Sequence, residues 1–151
     1  MTTRIEVPSY IRQWLMMTKN GQEDGPVRFN ESENLYHVIL GLTTLRTAAT
    51  PMVDRGNLEI VIPTPRHGKN PLYYNYLSPR AARIIVKMLK QMFYIEARSF
   101  IAEKESRGIP QKTAVYMFIS QYGMDDMVSE DALVKDYYRW RKKFLRKECP
   151  V

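Results

Sequence analysis

Cysteine is nearly absent from the 151-residue chain, which has Cys149 alone. A single cysteine cannot form an internal disulfide, and this argues against a secreted scaffold held together by disulfides. No run of about 18 apolar residues occurs, so no segment has the pattern of a membrane-spanning helix. Residues 1–6 lack the apolar stretch of a secretory signal peptide. Together these features favour a cytoplasmic location and predict no membrane partner.

Signatures of catalytic and cofactor sites are missing as well. His37 and His67, the only histidines, have no metal-ligand spacing with the cysteine and no nucleophile motif beside them. The chain has no P-loop and no glycine-rich dinucleotide fingerprint. The acidic pairs at 125–126 and 130–131 lack the glycine and terminal glutamate of a calcium loop. The sequence therefore predicts a protein that is not an enzyme, with no cofactor, metal site or small-molecule substrate.

Positive charge is present in excess and is unevenly placed. The chain has 23 Lys and Arg against 16 Asp and Glu, a net charge of +7, and is 44% hydrophobic, as expected of a folded protein. Residues 1–77 contribute only +1 (8 basic, 7 acidic), and residues 78–151 contribute +6 (15 basic, 9 acidic). Such a basic segment attracts polyanions through Coulomb force and counterion release.

Patterns in residues 1–77 predict a small mixed α/β part. Apolar residues at helical spacing indicate one helix over 10–17 and a second that Asn30 or Ser32 caps and that reaches Leu45. Alternating or β-branched runs indicate two or three short strands, at 4–7, 27–29 and 58–62.

Residues 78–151 have the pattern of three helices. Ser78 is a good N-cap with Pro79 at the first helical position, and that helix extends to about Arg107. A second helix is expected over 111–122, ended by a glycine, and a third from the N-cap Ser129 to about residue 147. The expected fold is thus α+β: the mixed part, 1–77, packs on a helix-turn-helix-like three-helix unit, 78–151, in one compact domain.

The last predicted helix has two chemically different faces. Leu133, Tyr137, Trp140 and Phe144 recur at a spacing of three and four residues, so they form one apolar face, and basic residues recur at the same spacing on another. One side can therefore pack on the preceding helices while the other presents cations to a phosphate backbone. The predicted nucleic-acid contacts are Lys135, Arg139, Arg141, Lys142, Lys143 and Arg146, with Lys112 and Arg83 as secondary ones.

Two features weigh against a standard helix-turn-helix. The linker over 123–128 is about six residues, longer than the usual three or four. Asp125, Asp126, Glu130 and Asp131 cluster where a recognition helix normally meets base edges, and they would repel phosphates there. Contact is therefore expected through the later turns of the helix, mainly with phosphates.

Two alternatives remain open. The interface of a homo-oligomer or another protein assembly could be formed by the methionine-rich helices together with Trp140, Phe144 and Leu145. The tyrosines of the 73–76 loop, close to Arg66, His67, Lys69 and Arg80, could stack on unpaired bases of single-stranded nucleic acid or RNA.

Three short motifs give the chain a family resemblance. They are Ile5-x-Val7-Pro8-x-x-Ile11-Arg12-Gln13-Trp14, then Ile60-Val61-Ile62-Pro63 followed by Tyr74-Asn75-Tyr76-Leu77, and finally Lys135-x-Tyr137-x-Arg139-x-Arg141. In these motifs the chain resembles small proteins of Bacteroidetes prophages and mobile elements with a C-terminal helix-turn-helix. The resemblance implies a phage- or transposon-linked role with DNA binding. Together with the basic last helix, it leads us to expect a protein that binds double-stranded DNA in the regulation or maintenance of a mobile element. It assigns no individual site residue.

Overall fold

The structure is a computed structural model that describes residues 1–21, 23–49 and 55–148, with the backbone alone described for residues 145–148. Short antiparallel strands and five helices in these residues confirm the α+β class. In chain order the elements are β1 (Thr2–Ile5), α1 (Ser9–Lys19), α2 (Asn34–Leu42), β2 (Thr44–Leu45), β3 (Leu58–Val61), β4 (Tyr74–Tyr76), α3 (Pro79–Ser106), α4 (Gln111–Gln121) and α5 (Glu130–Glu148). None of these helices is long and apolar enough to cross a membrane.

The chain divides into two compact units, which we call unit 1 (Met1–Lys90) and unit 2 (beginning at Gln91). The division falls inside α3, whereas the boundary proposed from composition, between residues 77 and 78, lies just before that helix begins. Residues 79–90 of α3 therefore belong to unit 1, and its later turns belong to unit 2.

Unit 1 is built around two pairs of antiparallel strands. β1 pairs with β3 from Thr2↔Val61 to Ile5↔Leu58, and β2 pairs with β4. Gly56 makes the approach to β3 possible, because its φ is 154° and a Cβ there would lie 2.3 Å from the backbone of Ile5. Only glycine fits such a backbone contact.

The core of unit 1 is assembled from residues whose spacing predicted their burial. The helix predicted over 10–17 is α1, and the strand predicted over 58–62 is β3. The buried side chains include those of Ile11, Trp14 and Leu15 from α1, Leu35 and Ile39 from α2, Leu58 and Ile60 from β3, and Ala81, Ile85 and Leu89 from α3. Apolar area of this kind stabilises by about 25 cal/mol per Å² removed from water.

Three local predictions for unit 1 were wrong. The first strand is Thr2–Ile5 rather than 4–7, because its register with β3 begins at Thr2. Residues 27–29 form no strand and contribute only an isolated bridge from Val27 to Ile60. α2 begins after Glu33, and no side-chain cap is formed there. It ends at Leu42, so Leu45 lies exposed in β2.

Unit 2 packs the later turns of α3 with α4 and α5. Phe118 of α4 lies at the centre, with ring centroids 5.6 Å from Phe93, 5.4 Å from Phe100 and 5.1 Å from Tyr122. Edge-to-face aromatic contacts of this kind add about 0.5–1.5 kcal/mol beyond area burial. Leu133 and Tyr137 complete the core from α5.

The helix ends of the C-terminal half follow the sequence signals. Ser78 Oγ accepts from the amide of Ala81 at 3.1 Å, and Ser129 Oγ accepts from that of Ala132 at 3.3 Å. After α4, the amides of Gly123 and Met124 donate to the carbonyls of Ser120 and Ile119. With Gly123 at a φ of 64°, these two bonds form a Schellman motif.

Candidate nucleic-acid interface

The sequence of α5 gives this helix a buried seam on the core side. Leu133 and Tyr137 are fully buried, Trp140 is half-buried, and Phe144 is 45% exposed. The ring of Trp140 stacks on that of Phe144 at 5.6 Å and 20°. The seam therefore packs the first half of α5 against the rest of unit 2, and the side chains of the seam become more exposed toward the C-terminal end of the helix.

Cations occupy the opposite face of α5. At about 100° per residue, Lys135, Arg139, Lys142 and Lys143 fall within about 100° of arc, on the side away from Leu133 and Tyr137. All four are exposed. We call these four residues the α5 basic row, which spans about 12 Å of helix at 1.5 Å per residue.

Two predicted contact residues already have acidic partners. Lys135 Nζ lies 2.9 Å from Asp131 Oδ2, one turn earlier on the exposed surface. Arg141 Nη1 lies 3.2 Å from Glu105 Oε1 of α3, on the flank of α5 rather than in the row. Neighbouring acids reduce the attraction of these two cations for a phosphate. By contrast, Arg139, Lys142 and Lys143 form no ion pair with another residue in the described ranges.

A polar network holds α5 at a fixed rotation on α3. Arg98 of α3 binds Asp136 through two parallel hydrogen bonds, Nε to Oδ2 at 3.0 Å and Nη2 to Oδ1 at 2.9 Å. Bidentate pairs of this type fix geometry as well as adding energy. On the other flank, Glu105 accepts from both Tyr137 and Arg141. The Arg98–Asp136 pair and the contacts of Glu105 thus hold α5 on both sides of its seam, so the α5 basic row points outward.

The hydroxyls of two buried tyrosines in unit 2 donate hydrogen bonds to glutamates. Tyr137 Oη donates to Glu105 Oε2 at 2.8 Å, and burial, reinforced by that carboxylate, raises the pKa of Tyr137 to about 12. Tyr122 Oη donates to Glu96 Oε1 at 2.6 Å, and the same causes raise the pKa of Tyr122 even further. Both phenols therefore stay protonated at neutral pH and act as structural donors.

A shallow groove of about 270 Å³ borders the α5 basic row. Gln111 at the start of α4 and Tyr138, Arg141 and Lys142 of α5 line it. Tyr138 is 61% exposed. Lys112, a secondary candidate, is exposed at the second residue of α4 but is not among the residues that line this groove.

The acidic start of α5 limits where a phosphate can lie. Asp125, Asp126, Glu130 and Asp131 are all exposed. A second groove, of about 490 Å³ and beside Arg139, includes Asp131 and Asp136 in its lining. Repulsion from these carboxylates favours phosphate contact toward Lys142 and Lys143.

The remaining predicted contacts lie elsewhere. Arg83 belongs to unit 1, where it is exposed on α3. Arg146 falls in α5, but its side chain is outside the described residues. The sequence interpretation missed the glutamate and the arginine that position α5, Glu105 and Arg98, because partners 36 and 38 residues away leave no local signal.

Two polar side chains of the region considered for single-stranded nucleic acid, Lys69 and Asn75, form hydrogen bonds within unit 1. Lys69 Nζ donates to the carbonyls of Leu40, Gly41 and Thr43 at the end of α2. Asn75 is buried, donates to two carbonyls of the loop and accepts from Arg46 at 2.5 Å. Of the loop tyrosines, Tyr73 is the most exposed.

No group of three or more His, Cys, Asp or Glu in the part of the chain that the structure describes could hold a metal ion. Comparison with protein-family models, with curated proteins and with solved structures finds no match to this chain.

Proposed function

We propose that this protein binds double-stranded DNA without catalysing a reaction, through phosphate contacts made by the α5 basic row. The observation that carries the proposal is the exposure of Arg139, Lys142 and Lys143 on one helix face, with no acidic partner among the described residues. Phosphate neutralisation by such cations releases counterions and supplies most of the non-specific affinity for DNA.

The proposed binding mode differs from insertion of a helix N-terminus into the major groove. The linker between α4 and α5 comprises residues 122–129, and the first turn of α5 is acidic. Lys142 and Lys143, with the start of α4 nearby, instead meet the backbone from the side. The family resemblance adds a role in regulation or maintenance of a mobile element, in the cytoplasm.

The test is a salt titration of binding to a labelled duplex of about 20 base pairs, followed by fluorescence anisotropy. Replacing Arg139 and Lys142 with Ala should weaken binding to all duplex sequences alike and reduce the salt slope by about one per lost contact. R28A/R55A is the matched control, because it removes the same charge from two exposed arginines outside α5 that form no ion pair with another described residue.

An equal loss in R28A/R55A would mean that net charge, rather than the α5 basic row, attracts DNA. Absence of duplex binding by the wild-type protein at about 50 mM salt would refute the function itself, because electrostatic contacts are strongest there.

A second candidate, self-assembly, is favoured by one observation. Phe144 remains 45% exposed while it stacks on Trp140, so an aromatic surface is left open at the end of the seam. Aromatic residues are enriched in protein interfaces. Sedimentation of wild-type protein and of F144S without DNA separates the two: an oligomer that dissociates in F144S supports assembly through this surface.

A further inference from the structure

Unit 1 has a second row of cations, on α3. Arg80, Arg83, Lys87 and Lys90 recur at a spacing of three and four residues and are all exposed. We call them the α3 basic row; it spans about 15 Å of helix, on the side away from the buried Ala81, Ile85 and Leu89. No residue of this row forms an ion pair with another residue in the described ranges.

The surroundings of the α3 basic row are apolar. A groove of about 500 Å³ runs beside the row, lined by Glu6, Ala82, Arg83, Val86, Lys87 and Lys90. On the other flank Ile84 is 39% exposed. Four cations without acidic partners are thus placed next to apolar surface, with Glu6 as the one acid among the groove's lining residues.

This combination discriminates between partners. A duplex backbone offers phosphates to the cations but has nothing apolar to place over Ala82 and Val86. An amphipathic peptide with carboxylates on one side and aliphatic side chains on the other satisfies both the charge and the groove. We infer that unit 1 docks an acidic amphipathic segment of a partner protein, with its apolar side chains in the groove and its carboxylates on the α3 basic row.

The inference is independent of the proposed function of α5, because the two rows share no residue. It changes the expected role of Arg83, from a secondary DNA contact to a contact for a carboxylate. It also gives a partner to Ala82 and Val86, which line the groove beside the cations; an amphipathic helix that lays its apolar face into a hydrophobic groove is a recurring mode of peptide docking.

The test uses two labelled peptides of about 14 residues and equal negative charge, one of Glu and Leu and one of Glu and Ser, with carboxylates at helical i, i+3, i+4 and i+7 spacing. Full-length protein should bind the Glu/Leu peptide about tenfold more tightly, a difference of about 1.4 kcal/mol. R83E/K87E should weaken binding of both peptides at least tenfold, and V86S should remove the preference for leucine.

R139E/K142E is the matched control, since it reverses the same charge on α5 and should leave peptide affinity unchanged. Circular dichroism and thermal unfolding verify that the variants fold. Equal affinity for the two peptides, or no binding at about 1 mM, the weak end of specific association, would overturn the inference. The inference would also be overturned if R83E/K87E weakened binding of duplex DNA and left binding of the peptides unchanged, because the α3 basic row would then be a nucleic-acid surface.

Discussion

At the scale of the residue, Lys69 has a different role from the one that the sequence suggested. Lys69, considered for nucleic acid because of the tyrosines near it, instead donates to three carbonyls at the C-terminal end of α2. A cation at that end also meets the negative pole of the helix dipole. The identity of Lys69 was visible in the sequence, whereas its partners, 26–29 residues earlier, were not.

Replacing Lys69 with Met should therefore destabilise the protein, because the aliphatic stem is kept while three carbonyls lose their donor. We expect the free energy of unfolding to fall by about 1 kcal/mol, the usual value of a capping interaction. Urea unfolding measures the change, with R66M as the control at a neighbouring exposed cation. An equal loss in R66M would contradict the capping role.

Tyr137 gives a prediction in alkaline solution. Its folded-state pKa of about 12 lies above the value of about 10 expected in the unfolded chain, so the folded protein holds the phenol proton more tightly. The resulting stabilisation is complete below pH 10 and is lost as the pH rises toward 12. Y137F should decline less steeply than wild type between pH 10 and 12 in urea unfolding. Parallel curves for the two proteins would exclude the Tyr137 contribution.

At the scale of the element, helix ends and helix faces were largely readable from the sequence. Ser78, Ser129 and Gly123 were expected to delimit the C-terminal helices, and each forms the cap or turn that its chemistry favours. The buried positions of α4 also match the periodicity. Errors arose in unit 1, where Leu45 continues a helical spacing although the helix ends at Leu42. There the Thr43 hydroxyl donates to the Leu40 carbonyl and the chain enters β2.

Gly123 should be sensitive to substitution because its φ of 64° is strained for residues with a Cβ. G123A is expected to lower the free energy of unfolding by about 1 kcal/mol. G41A provides the contrast: Gly41 lies within α2 with nothing within 4 Å of an added Cβ, so alanine should stabilise by roughly 0.5–1 kcal/mol. Thermal unfolding of G123A and G41A measures both changes in stability. Stabilisation by G123A would contradict the Schellman assignment.

The α5 basic row also makes a prediction at this scale. Arg139 and Arg141 differ by two positions, but Arg141 is bound to Glu105 while Arg139 has no acidic partner among the described residues. R139A should therefore weaken duplex binding more than R141A does, and only R139A should lower the salt slope by about one. Anisotropy titrations at several salt concentrations measure both. A larger loss for R141A would place the contact on the flank of the helix.

At the scale of the whole molecule, the net charge of +7 is the sum of +5 on residues 1–90 and +2 on residues 91–151, and each unit has one basic row. The charge total alone favours any polyanion. The two rows differ in their surroundings. The α5 basic row borders Tyr138, whereas the α3 basic row borders a groove lined by Ala82 and Val86. We therefore expect the units to bind partners of different chemistry.

This division fixes the salt dependence of DNA binding by the full chain. Three contacts, from Arg139, Lys142 and Lys143, give a slope of log K against log salt of about −2.7, which is about a fortyfold loss of affinity between 50 and 200 mM salt. If the α3 basic row also contacted DNA, the slope would be about twice as steep. A slope near −1 would show that most of the α5 basic row does not meet phosphates.

The sequence by itself determined the α+β class, the positions of the C-terminal helices and the two faces of the last one, since periodicity, caps and charge are local properties. Tertiary structure alone decided which cations are bound to groups that lie far away in the sequence. Lys69 and Arg141 bind partners that lie 26 or more residues earlier in the chain, and Arg98 and Glu105 set the rotation of α5. Ion pairs and burial depend on which segments meet in space, and no local pattern in the chain encodes that meeting.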